Sequence, residues 1–432
     1  MVGKGNCRTE KIATGVIGVI GCRDGIKRRR RGRGHCSPRA LPGHCFWPLL
    51  SPSCVTLPLH MLLYLIKWEG IAVQRHWFPG GNTARGFHSF YQYIMPPEEA
   101  TRVIILKGGP GVGKSTFMRR MAEMLEDHGQ MIEYLHCSSD NDSLDGVVCR
   151  AIGFAMLDGT APHIVDPEMP GAADSILNLG VFLDETGLSL RKSEILSLKQ
   201  AISVCFNQAY RYLQAALPLR EDSAYILRSI TDEAALMRQF APWLETVTAY
   251  REPTKPGRSR PMFASAITPQ GCVNYLETLA VPRIWRVAGE WGMDSHKLLS
   301  CLRHAALLRG MDVEAMYCPL QPERLEHLYI PVFGLLITSE NRYHALDAPA
   351  ERTISYDALR LRAPGAVERD ALTFNGEQFD RTIEAACESI RRAKALHDEL
   401  EVEYISRMDF DGVERCWQET SGKVIELIPS SV

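Results

Sequence analysis

Gly108-Gly109-Pro110-Gly111-Val112-Gly113-Lys114-Ser115-Thr116 fits the spacing Gly-x4-Gly-Lys-Ser/Thr, and its flanks decide the kind of fold it belongs to. The apolar run Val103–Leu106 before it predicts a buried strand, and Ser115–Asp127 after it predicts an amphipathic helix ended by Gly129. Glycines let backbone N–H groups curl round a phosphate without Cβ clashes, and the following helix N-terminus adds positive dipole. In that frame Gly108, Gly109, Pro110, Gly111, Val112 and Gly113 cradle the β-phosphate. Lys114 reaches the β- and γ-phosphates as a point charge, Ser115 ligands Mg²⁺ through its hydroxyl, and Thr116 contacts the α-phosphate. ATP and Mg²⁺ are the cofactors this pattern predicts.

A metal site of this kind needs a carboxylate at the end of a buried strand. Ile152–Leu157 predicts that strand and Asp158 ends it, holding Mg²⁺ through water; the competing reading of Asp158 is a turn aspartate before Gly159-Thr160. No acidic residue follows Asp158 directly, so a water-activating base must come from elsewhere or hydrolysis is slow. Ile132–Cys137 predicts a second strand, followed by a polar loop at His136–Gly146. Ligands sit outside the carboxyl ends of parallel strands, so Asp140 in this loop is the candidate base or second metal contact, set against a self-capped polar turn. His163, Asp166 and Glu168 are weaker candidates of the same kind. Cys137 lacks metal-ligand spacing around it and reads as small-residue packing.

Sliding the chain against itself shows how the rest is organised. At an offset of 181, Arg102–His163 lies on Arg283–His344 without a gap, with nine of 62 positions identical, among them Gly108/Gly289, Gly111/Gly292, Glu133/Glu314, Cys137/Cys318 and His163/His344. Upstream, His76–Phe87 lies on Pro261–Cys272. Downstream, each half carries a long helical pattern: Ile195, Leu198, Ile202, Phe206, Ala209, Leu213 and Leu217 in one, and Ile383, Cys387, Ile390, Ala393, Leu396 and Leu400 in the other. The expected fold is α/β: two tandem P-loop NTPase-like units, each a mostly parallel sheet flanked by helices. The units span 76–255, with a helical segment at 190–250, and 261–432, with C-terminal helices. Arg251–Pro261 is the linker.

The second phosphate loop is degenerate. Gly289-Glu290-Trp291-Gly292-Met293-Asp294-Ser295-His296 puts Ser295 at the position of Lys114, His296 at Ser115, Asp294 at Gly113 and Ser339 at Asp158. Asp294 and Trp291 would meet phosphates where glycine and a cation are needed, and Lys297 is one turn away from helping. This half is expected to keep the fold without binding a nucleoside triphosphate in the usual way.

Residues 1–75 form a basic, Cys/Pro-rich leader. Residues 1–60 carry 11 Lys/Arg against Glu10 and Asp24, a local charge of +9; the remainder, with 38 basic and 49 acidic residues, carries −11, so the chain's net −2 is an average of unlike parts. An acidic body argues against a nucleic-acid surface there. Val19–Cys22 is similar to a lipoprotein cleavage box, His35-Cys36, His44-Cys45 and Cys54 offer zinc donors without a closing Cys-x-x-Cys, and Lys27–Arg31 could meet RNA or lipid. The favoured reading is a disordered extension, one that a start at Met61 would remove. Met61–Ile66 is too short to span a bilayer, which takes about 20 residues.

His76–Thr83, the Gly108–Thr116 run, His136–Gly146, Leu157–His163 and Phe263–Thr268 together resemble an uncharacterised bacterial family of tandem P-loop ATPase-like proteins related to nucleotide kinases. The resemblance implies a P-loop fold, ATP binding and a soluble cytoplasmic protein, and in such proteins the second half can also carry a phosphate loop. Here it does not, which speaks against a two-site ATPase mechanism. Unpaired cysteines fit the same reducing compartment. Three functions are expected from these residues: an ATPase that drives or switches an arrangement of its halves, a small-molecule or nucleotide phosphotransferase with Arg211, Arg220 and Arg228 on an acceptor lid, or a non-enzymatic nucleotide-regulated scaffold. Any of them leaves room for a protein partner, and none calls for a membrane.

Overall fold

Both halves are built to one plan in the computed structural model, which describes residues 74–250, 255–279 and 281–429. The leader, with its lipoprotein-like, His-Cys and arginine features, lies outside the described residues, as do 251–254 of the linker. The first half runs β1 (Arg75–Trp77), β2 (Gly80–Thr83), β3 (Gly86–Ser89), β4 (Arg102–Lys107), α1 (Lys114–Asp127), β5 (Glu133–Cys137), β6 (Asp140–Cys149), β7 (Phe154–Asp158), β8 (Asp174–Asn178), α2 (Glu185–Ser189), α3 (Lys192–Ser229) and α4 (Glu233–Thr248). The second half repeats this as β9 (Ser259–Met262), β10 (Ser265–Thr268), β11 (Gly271–Asn274), β12 (Arg283–Ala288), α5 (His296–Leu308), β13 (Val313–Tyr317), β14 (Leu325–Ile330), β15 (Leu335–Glu340), β16 (Arg352–Ser355), α6 (Ala366–Ile405) and α7 (Phe410–Ile425).

The two six-stranded sheets have the same order, β1-β5-β6-β7-β4-β8 and β9-β13-β14-β15-β12-β16. Even the register repeats: Ile104 pairs with Met156 and Trp285 with Ile337, positions related by the sequence offset. β4 is apolar on both faces because Ile104 and Leu106 pack on α1 and α7, while Val103 and Ile105 join a buried cluster with Ile284, Met316 and Leu336 from strands of the second half. α1 turns Phe117, Met118, Met121, Ala122 and Leu125 onto the sheet at helical spacing.

One expectation needs correcting. The polar stretch His136–Gly146 is not a loop: Ser138-Ser139 alone makes the turn, and from Asp140 the chain forms β6. This strand runs antiparallel to both β5 and β7, as β14 does to β13 and β15, so each sheet is mixed, with five parallel strands and one reversed. Asp140 pairs with Cys137 and Leu144 with His136, and the register shifts on both sides of His136 take up Asn141, Asp142 and Ser143 as a bulge.

A pseudo-twofold axis joins the halves. Phe78 and Phe263 are matched positions in the repeat, and they pair with each other, Phe78 N–H donating to Phe263 O at 3.0 Å and Phe263 N–H to Phe78 O at 3.1 Å. Self-pairing of equivalent residues is the mark of an isologous contact. Beside it lies a symmetric charge cluster. Arg75 reaches Glu133 at 3.4 Å and also Glu314; Arg260 reaches Glu314 at 3.2 Å and Glu133 at 2.5 Å. Arg150 adds a third cation to Glu133 at 3.2 Å. Burial by itself would raise the Glu133 pKa, but Arg260, Arg150 and Arg75 together hold it well below the ordinary carboxylate range.

The closing helices are exchanged. α3 and α6 pack along each other, burying Ala209, Leu213 and Ala216 against Phe379, Ile383, Ala386 and Ile390. α4 then packs on α5, in a cluster that unites Leu236, Phe240, Trp243 and Val247 with Trp285, Leu298 and Leu302 of the other half; the Trp243 and Trp285 rings are 5.0 Å apart. α7 returns the exchange on α1: Val413 and Val424 complete the cluster of Phe117, Met121 and Leu125, and Arg120 lies 4.0 Å over the Trp417 ring. Each such buried side chain contributes on the order of 1.5–3 kcal/mol before chain entropy is subtracted. Among the described residues no helix is long and apolar enough to cross a membrane.

Candidate functional site

The Gly108–Thr116 stretch links the carboxyl end of β4 to α1. Gly113 caps the helix at φ 88°, a left-handed conformation that favours glycine, and Asp294 stands there in the other half. Lys114 turns back over the loop, donating to Gly109 O at 2.8 Å and Gly108 O at 3.3 Å, with its Nζ 3.7 Å from Asp158 Oδ2. Asp158 makes the contacts of a turn aspartate and also faces the lysine. Its Oδ1 accepts from the Thr160 N–H at 2.8 Å and the Thr160 hydroxyl at 2.6 Å, as a turn aspartate does, while Oδ2 faces the lysine. Ser115 Oγ accepts from the Leu144 N–H at 3.0 Å, and its own proton and second lone pair stay free. Lysine, serine and aspartate thus converge at one end of β4 and β7, where a phosphate and a divalent cation would be held.

Asp140 sits on the same rim, at the start of β6, with Lys394 of α6 at 3.3 Å from its Oδ2. Its contacts are with that helix and with the Asp142 N–H rather than with the phosphate loop. Asp166 is exposed, 3.5 Å from Lys107, and the Glu168 N–H donates to Asp174. His163 is buried beside Asp145.

Sequence reasoning missed the wall of the site, because it comes from the other half. The end of α6 lies over the loop. Gly111 N–H points at Glu401 Oε1, 3.3 Å away, and a Cβ on Gly109 would come within 2.7 Å of the Tyr404 ring. On Gly111 a Cβ would meet Ile405 at 2.9 Å. The glycines therefore serve the close approach of a helix. No local pattern announces such a contact.

The matching place in the second half is rebuilt, not merely eroded. The Lys114–Asp158 ion pair is replaced jointly by a hydrogen bond between the Ser295 and Ser339 hydroxyls. His296 Nδ1 accepts from the Leu325 N–H at 2.8 Å, reproducing the bond of Ser115 to Leu144. Asp294 is neutralised by Arg324 at 2.5 Å and by Arg228 of α3 at 3.4 Å, so this loop carries its own anion. Trp291 stacks on Phe379 with centroids 4.3 Å apart, and Lys297 is exposed. The cleft beside it, lined by Arg220, Trp291, Cys318, Glu326 and Phe379, holds about 60 Å³. Ligand pockets for nucleotide-sized molecules need roughly 300–1,000 Å³. Arg220 and Arg228, expected on an acceptor lid, are committed here, Arg220 donating to Gln321 at 2.8 Å.

Comparison with known proteins finds no matching family model, no matching curated protein and no matching solved structure. What defines the chain is thus its own architecture: tandem α/β halves with similar mixed six-stranded sheets, related by a pseudo-twofold axis.

Proposed function

We propose that this protein is an ATP-binding, Mg²⁺-dependent P-loop NTPase with one working site, in the first half. The observation that carries the reading is the convergence of Lys114, Ser115 and Asp158 around Gly108–Gly113, together with the joint replacement of that lysine and aspartate in the other half. Residues that serve packing alone would have no reason to change as a pair. When bound, Mg²⁺ supplies charge neutralisation between the phosphates; Ser115 and Asp158 are the residues to hold it. Lys114 would leave the carbonyls of Gly108 and Gly109 for the β- and γ-phosphate oxygens, and the Gly111 N–H would exchange Glu401 for phosphate. A cytoplasmic setting belongs to the same proposal.

The full chain given ATP and Mg²⁺, with phosphate, ADP and labelled acceptors followed, tests this. Phosphate release that drops about 100-fold or more in Lys114→Ala, and persists in Ser295→Ala, supports the NTPase, since removing one charge-stabilising group costs about 10²–10³ in rate. Label passing to an acceptor would make it a phosphotransferase, and tight binding without turnover a nucleotide-regulated scaffold. The reading fails if Lys114→Ala binds ATP as well as the wild type does.

A further inference from the structure

Three donors that lie far apart in sequence meet under the first half's sheet edge. Cys137 ends β5, Asp145 lies on β6, and His163 follows β7; one ligand atom from each lies within 4.8 Å of the others. Asp145 and His163 are buried, and among the described residues Asp145 Oδ2 and His163 Nδ1 have no hydrogen-bond partner. His163 Nε2 stands 3.5 Å from Asp145 Oδ2, too far for a good hydrogen bond, and among the described residues His163 is the only ion-pairing partner of this carboxylate. Leaving such buried groups unpaired is unfavourable, because they have given up water without gaining a partner.

The repeat supplies a second and independent observation. The same positions in the other half are Cys318, Glu326 and His344, again a thiol, a carboxylate and an imidazole. There too, among the described residues, Glu326 Oε2 and His344 Nδ1 have no hydrogen-bond partner, but an arginine joins the set. His344 Nε2 is 3.1 Å from Glu326 Oε2, and Arg220, reaching in from α3, donates to Cys318 Sγ at 3.5 Å. Counted from the exchanged helices, the residue of α6 that matches Arg220 is His397, which instead faces Glu401 at 3.8 Å. So the second cluster receives a cation from the protein, and the first does not.

We propose that Cys137, Asp145 and His163 bind a zinc-type divalent cation, which occupies in the first half the role that the Arg220 guanidinium plays in the second. Thiolate, imidazole and carboxylate together suit borderline-soft Zn²⁺, and three protein ligands leave its fourth tetrahedral position to water. Binding replaces the Cys137 S–H bond with a metal–sulfur bond and releases that proton to solvent. The ion ties the end of β5 to β6 and to the segment after β7. It lies one strand from the phosphate loop's acid, since Gly146 pairs with Leu157 and Asp145 is therefore opposite Asp158. This site does not depend on the nucleotide reading.

Co²⁺ alone, titrated into the metal-stripped full chain without nucleotide, tests it. The wild type should take up one more equivalent than Cys137→Ser or His163→Ala, with a thiolate-to-metal charge-transfer band that Cys137→Ser loses. Cys318→Ser should match the wild type. Zn²⁺ should raise the melting temperature of the wild type and not that of Cys137→Ser, a comparison that also shows whether the variant folds. Equal stoichiometry in wild type and Cys137→Ser, whatever its value, would overturn the proposal, as would loss of the same equivalent in Cys318→Ser.

Discussion

The two loops at Gly108 and Gly289 began as one design and now solve opposite problems. The first sets a lysine and an aspartate face to face, 3.7 Å from each other, with the lysine also donating to the Gly108 and Gly109 carbonyls. The second has filled that space with its own hydroxyl pair and with an aspartate bound to two arginines. Where a lysine–aspartate pair is replaced, the polar groups that stand in its place need partners of their own, and Ser295, Ser339 and Asp294 find them.

The sharpest way to break the symmetry is at its axis. Glu133 faces three arginines and its mate Glu314 two, so Glu133→Gln should cost about 3–5 kcal/mol, as breaking a buried ion pair does, and Glu314→Gln measurably less. Denaturant melts of the two variants give the comparison; equal losses would mean Arg150 adds nothing.

Acid should unfold the protein in two steps. Burial pushes the His136 pKa down to about 4 and the His327 pKa to about 3, against 6.5 for a free imidazole. The unfolded chain takes up these protons first, so stability is full above pH 6.5 and falls as pH drops towards 4. Glu133, depressed by its arginines, adds a second loss below about 4.5, where the unfolded carboxylate protonates. The matched residue of His136 is Tyr317, and His136→Tyr should flatten the upper arm of a stability-against-pH curve while leaving the lower one. An unchanged slope between pH 6.5 and 5 would rule out His136 as its source.

Smaller effects separate the two sites. Asp158→Asn should weaken Mg²⁺-dependent ATP binding by about 10-fold, roughly 1.4 kcal/mol, whereas Ser339→Ala should leave it unchanged; calorimetry with and without Mg²⁺ reads both. Smallest is Glu401→Gln. Its neutral amide holds the Gly111 N–H less firmly than a carboxylate, so ATP affinity should rise a few-fold, and a fall would mean Glu401 helps the nucleotide instead.

Much of this was legible in the residues. The glycine loop, its strand and its helix follow from local chemistry, and the repeat predicted that the two sheets would share an order. β6 was hidden because Asp140, Asn141 and Asp142 favour turns locally, while cross-strand bonds to β5 outweigh that preference. The exchanged helices were hidden for a different reason. An apolar stripe such as Leu236, Phe240 and Trp243 says that a helix buries one face, but not whose sheet it covers. Cys137 could not be placed beside Asp145 and His163 from the sequence, because these neighbours come from β6 and the segment after β7. Its recurrence as Cys318, together with an acid and a histidine, was the available signal.

The exchange also sets a timetable. Synthesis runs from the N-terminus, and Gly111 meets Glu401 290 residues later. Through that interval the phosphate loop is chemically complete but roofless, and the apolar side of α1 waits for Val413 and Val424. A ribosome that stops before Glu401 therefore releases a chain that contains every residue of the motif and none of its cover. Completion of the polypeptide, rather than folding of its first half, is what closes the site.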